Sequence, residues 1–81
     1  MAYNDELQWK PGWPLTVAVL EIGAVSCWVC KRHQPDGTWF VLVLAAMFRF
    51  PLLAVTEDPD ETEAVEKAIV EARAMLSKQR A

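Results

Sequence analysis

Basic charge is scarce in this chain: eight Lys and Arg face eleven Asp and Glu, giving a net charge of −3 and a pI near 5.0. The protein as a whole therefore lacks the long-range attraction to phosphate on which nucleic-acid binders rely. Catalytic material is equally thin, with one His, one Tyr, two Ser and two Cys in 81 residues. No acid and base pair, ligand cluster or phosphate-cradling Gly loop stands out, so an enzyme is not expected and no cofactor or metal is called for. Two cysteines are too few for the disulfide frameworks of small secreted domains, which fits a reducing compartment. The chain opens acidic and polar (MAYNDE) rather than with a basic start and an apolar run, so no export signal is expected and the cytoplasm is the expected location. Long hydrophobic runs are also missing: the most apolar window, 39–55, is interrupted by Arg49 and Pro51, and its uncharged stretch 39–48 falls well short of the roughly 18 residues of a membrane span. Three Gly and five Pro exclude collagen-like and low-complexity classes.

What is present is apolar. Hydrophobic residues make up 53% of the chain and charged ones 23%, which excludes disorder. A chain this short buries roughly 63% of its unfolded surface, a marginal core for a monomer. Residues 1–14 carry no period and hold Trp9 and Trp13 among Pro and Gly, which reads as an irregular arm. Residues 15–22 (LTVAVLEI) and 24–32 (AVSCWVCKR) are rich in β-branched and aliphatic side chains on either side of Gly23, and read as two strands or one long bent strand. Gln34-Pro35-Asp36-Gly37 has the chemistry of a hairpin turn. Residues 38–46 (TWFVLVLAA) form a third strand, and 48–56 (FRFPLLAVT) a fourth, whose Pro51 places it at an edge or a bulge. A helix follows over 59–79. Asp58-Pro59-Asp60-Glu61 reads as a capping box with Asp58 as the cap, and Val65, Ala68, Ile69, Ala72, Met75 and Leu76 make one apolar stripe. Glu63 and Lys67 stand one turn apart as a favourable pair. The expected fold is one α+β domain: an antiparallel meander of three to four strands, 15–56, with one C-terminal helix packed on one face.

The third strand carries the most informative mismatch. Alternation sends Phe40, Leu42, Leu44 and Ala46 to one side and Trp39, Val41, Val43 and Ala45 to the other, so both faces are apolar while a single helix covers one. The second cover is the arm folded back, a second copy of the chain, or a different protein. A homodimer is expected, through the face opposite the helix or an edge strand, with Trp39, Val41 and Val43 assigned to its interface.

Three further clusters invite chemistry. Cys27-Trp28-Val29-Cys30, with His33 beyond, has the look of a zinc or redox motif. On a strand, however, residues three apart point to opposite faces, and no fourth ligand follows, so two small buried residues and a solvated His are the expected roles. Glu57, Asp58, Asp60, Glu61, Glu63 and Glu66 crowd the start of the helix. Acids there favour any helix dipole, and they also form a ridge that could meet a basic groove. Trp9 and Trp13 in the arm belong to the residue type most enriched at binding hot spots. The candidate partner-binding residues are therefore Glu57, Asp60, Glu63, Glu66, Trp9 and Trp13.

In size, acidity and meander-then-helix plan the chain resembles the small phage-encoded inhibitors of bacterial defence, anti-CRISPR proteins in particular. This resemblance spans the chain but rests on no motif, so no family residue carries over. It implies a non-enzymatic inhibitor acting in the host cytoplasm on a host protein with a basic groove, such as a nuclease or a subunit of a CRISPR surveillance complex, without direct nucleic-acid or membrane contact. The element order is also similar to the three-stranded DNA readers of phage integrases and to strand-rich antitoxins, the alternative of a small nucleic-acid-binding regulatory module. The charges depart from that pattern, since the strands offer only Lys31, Arg32 and Arg49.

Overall fold

The computed structural model describes residues 3–45 and 52–80. Four strands, β1 (Thr16–Ile22), β2 (Val25–His33), β3 (Trp39–Ala45) and β4 (Leu52–Asp58), form one antiparallel sheet in the order β1-β2-β3-β4. The arm expected to be irregular instead carries a short helix α1 (Tyr3–Glu6), tied down by Tyr3, and a long helix α2 (Glu61–Arg80) follows the sheet. The expected meander with one C-terminal helix is the architecture observed. The expected strand residues Ala46, Phe48, Arg49, Phe50 and Pro51 lie outside the described residues.

Turn chemistry places the strands. Gly23 adopts φ 63° and splits 16–33 into two strands, removing the single bent strand from consideration. Gly37, at φ 92°, closes the β2–β3 hairpin, where the Asp36 carboxylate accepts from the Thr38 amide at 2.9 Å and from its hydroxyl at 2.6 Å. Registers run straight across the sheet, Ala18 opposite Val29, Val29 opposite Val43 and Val43 opposite Ala54, until a bulge beside Leu53 shifts β4 by one residue.

The helix begins later than its sequence signal. Asp60, not Asp58, is the N-cap: its carboxylate accepts from the Glu63 amide at 3.0 Å. Asp58 instead closes the preceding turn on the Asp60 amide at 2.9 Å and binds the Lys67 ammonium at 2.6 Å. Both acids precede an apolar run, and the last residue of β4 is needed in the ladder opposite Trp39, which pushes the cap two residues onward. Lys67 accordingly pairs with Asp58 rather than Glu63. Of the expected stripe, Val65, Ala68, Ile69, Ala72 and Leu76 are buried, joined by Ala64, whereas Met75 is exposed.

Helix α2 packs on β3 and β4. Under it lie Ile22, Cys27, Val29, Val41, Val43, Ala45, Leu53 and Ala54, and the buried Thr56 hydroxyl donates to the Ala64 carbonyl at 2.7 Å, joining β4 to the helix. The β1 and β2 side of this same face is covered by the arm: Tyr3, Leu7 and Trp9 pack against the core cluster. Tyr3 donates its amide to Glu66 at 3.0 Å and its hydroxyl accepts from Arg73 at 2.7 Å, fixing α1 to α2.

Candidate functional site: the open sheet face

With helix and arm both on one side, the other side of the sheet carries no covering element among the described residues. Three rows of side chains cross it. Val19, Trp28, Leu44 and Leu52 form one, Val17, Cys30, Leu42 and Val55 the next, and Arg32, Phe40 and Glu57 the last. Val19 is 63% exposed, Leu52 52%, Trp28 49% and Val55 46%. Four strands about 4.8 Å apart and two apolar rows deep, extended by Phe40, present about 300 Å² in projection, the lower end of the size at which an exposed apolar patch marks a contact surface. Arg32 and Glu57, both exposed, edge the face at the end bearing the β2–β3 hairpin, and Glu21 edges it at the other.

This geometry corrects the expected interface. Trp39, Val41 and Val43 lie on the helix side, and Val41 and Val43 are wholly buried within one chain, so they cannot meet a partner. The alternation along β3 was right; which half faces the helix was not decidable from β3 by itself. Phe40, Leu42 and Leu44 are the residues that face outward. Trp28 and Trp39, which flank the same hairpin, consequently stand on opposite faces.

The described part of the arm leaves the open face uncovered except at its hairpin end, where Pro14 borders Arg32 and Phe40. Trp9 is half-buried on the helix side with the Lys31 ammonium 3.8 Å above its ring, and that ammonium also lies 5.8 Å from the Trp39 ring and pairs with Glu61. His33 stacks on Trp39 at 4.6 Å, so the expected solvated His is exposed but anchored. These contacts make Trp9 and Lys31 a clamp between arm, sheet and helix start. Trp13, 94% exposed beside the cis Trp13–Pro14 bond, is the arm's solvent-facing Trp.

The acidic ridge is largely occupied with holding its own helix. Asp60 caps, Asp58 binds Lys67, Glu61 binds Lys31, Glu66 accepts from the Tyr3 amide, and Glu57 accepts from Gln34 at 3.1 Å. Glu57, Asp60 and Glu63 remain exposed at the surface, while Glu66 is half-buried. The Lys67 ammonium, hydrogen-bonded to Asp58, holds that carboxyl below the usual carboxylate range, and Lys67 is raised in turn.

Cys27 and Cys30 point to opposite faces as their spacing requires, Cys27 into the core and Cys30 into the middle row of the open face, and both thiols are free and buried. Burial pushes both thiols above their ordinary pKa. Among the described residues no group of His, Cys, Asp and Glu could hold a metal ion, and no helix is long and apolar enough to cross a membrane. No family model, curated protein or solved structure matches the chain.

Proposed function

We propose that this chain acts by binding protein, without catalysis, and that the open sheet face is its principal contact surface. The observation that carries this reading is the position of the arm. With Tyr3, Leu7 and Trp9 spent on the helix side, the rows around Trp28 and Leu42 have no cover from any described part of the chain. A second copy, stacked face to face, satisfies that surface: it buries the apolar rows of both chains at about 25 cal/mol per Å² and places Arg32 and Glu57 of each at the rim, where opposite charges can meet. Light scattering at tens of micromolar should report twice the 9.1 kDa chain mass. A chain-mass particle across that range would refute self-association through this face.

The narrower reading, an inhibitor of a host nuclease or CRISPR surveillance complex, draws its support from small size, acidity, the meander-and-helix plan and the lack of a catalytic set. Exposed Glu57 and Glu63 and the solvent-facing Trp13 are the groups such a target would meet. The alternative of a nucleic-acid module loses support from the placement of its cations. Lys31 turns to the helix side and pairs with Glu61, which leaves Arg32 as the one base on the described open face. Binding to duplex DNA that weakens steeply with salt would favour that alternative.

A further inference from the structure

The two edges of the sheet are built differently. At β4 a bulge beside Leu53 breaks the pairing pattern, and the strand ends in Glu57 and Asp58, devices that discourage another strand from adding. At β1 the seven residues TVAVLEI run regularly, without Pro, Lys or bulge. Its outward backbone groups belong to alternate residues, and one of these is already paired: Val17 exchanges both hydrogen bonds with Lys10, at 2.8 and 3.1 Å, in an antiparallel bridge. The arm then leaves the edge, because α1 is tied to α2 through Tyr3. The outward amides and carbonyls of Val19 and Glu21 therefore have no backbone partner among the described residues. They border a groove of about 510 Å³ between β1 and the arm, which lines it with Tyr3, Glu6, Leu7, Gln8 and Lys10.

We propose that this edge is a strand-addition site for an extended segment of the target protein, antiparallel to β1, with a Lys or Arg opposite Glu21 and apolar residues opposite Leu20 and Val19. The proposal rests on the protein-binding reading above but uses a different surface. Backbone pairing supplies the attachment and the alternate side chains supply the selection. The residue opposite Leu20 faces the Leu7 wall, and a base opposite Glu21 makes a cross-strand ion pair beside a second acid, Glu6. Charge also argues against a second copy here, since two β1 edges paired antiparallel would bring both Glu21 and both Glu6 side chains to one seam.

The test uses the full chain and two capped peptides, Thr-Lys-Val-Val-Thr and Thr-Glu-Val-Val-Thr, followed by amide NMR. In the free protein the Val19 and Glu21 amides should exchange with solvent at least ~100-fold faster than that of Val29, which pairs inside the sheet. Millimolar Lys peptide should shift both amides and slow their exchange at least ~10-fold. The Glu peptide should bind ~3- to 5-fold more weakly, a difference expected of one exposed ion pair. In Glu21→Lys the preference should invert, which a loss of folding cannot mimic. The proposal is overturned by any of four results: no shift at Val19 and Glu21, equal binding of the two peptides, shifts confined to Trp28 and Leu42, or concentration-dependent protection of the Glu21 amide, beyond the stacked rows, without peptide, which would make a second copy the occupant. A monomer by light scattering would refute the stacked dimer and leave the edge result standing.

Discussion

Replacing Val19 and Val55 together by Thr should weaken the face-to-face dimer while leaving each chain folded. The two residues belong to neighbouring rows of the open face, on the two outermost strands, and are 63% and 46% exposed. Full burial of a Val side chain is worth about 2 kcal/mol, so the half still facing water offers about 1 kcal/mol on association. Thr keeps one of the two γ-methyls, so two such residues in each of two chains lose about 2 kcal/mol of apolar burial, or a roughly 30-fold rise in the dissociation constant, to which desolvation of the new hydroxyls adds. Thr has nearly the volume of Val and the same β-branch, so strand propensity is kept, and in the monomer its hydroxyl meets water. Unfolding of the dilute monomer should therefore move by no more than about 0.5 kcal/mol. Sedimentation equilibrium over a dilution series measures the first quantity and urea denaturation at low concentration the second. An unchanged dissociation constant in a folded double variant would show that the open face is not the self-association surface, and with it would go the inference drawn from the arm.

Three further outcomes follow from particular contacts. Asp60→Ala should destabilise the fold by about 1 kcal/mol through loss of the N-cap, measured by urea denaturation, while Glu63→Ala should have less effect; equal losses would refute the assignment of the cap. The Asp58 carboxyl is held low by its bond from Lys67, so this contribution is present above the unfolded Asp value of about 3.9 and disappears as pH falls through the lower folded value. Lys67, raised by the same pair, keeps its contribution below about 10.4 and loses it as pH rises through the higher folded value. Lys67→Met should flatten the fall of the urea midpoint below pH ~4, and a profile identical to that of the parent would contradict the pair. Both thiols should resist a disulfide reagent at neutral pH and react promptly in urea, since each is buried and its pKa raised; fast labelling of the native protein would contradict that burial.

Local physics determined much of this protein before any tertiary contact. Gly23 and Gly37 sit where left-handed backbone is needed, four β-rich segments lie between turn residues, and acids precede a helix with a single apolar stripe, so the order and nature of the strands and the long helix follow from nearest neighbours along the chain. The opposite directions of Cys27 and Cys30 follow from the period of a strand alone. Other features depended on which surfaces meet. When both halves of β3 are apolar, nothing in that strand says which half the helix takes, and the choice put Val41 and Val43 inside and Leu42 outside. Choosing between Asp58 and Asp60 as the cap required knowing how far the β4 ladder runs, and Lys67 then found Asp58, nine residues away, because the turn brings it close. The arm could be read only as irregular, since its fate rests on contacts 63 and 70 residues distant, from Tyr3 to Glu66 and Arg73. Those contacts draw Trp9 to the helix side and leave the rows of Trp28 and Leu42 without cover from the described residues, because a side chain's surroundings are decided by residues far along the sequence that its own period cannot reveal.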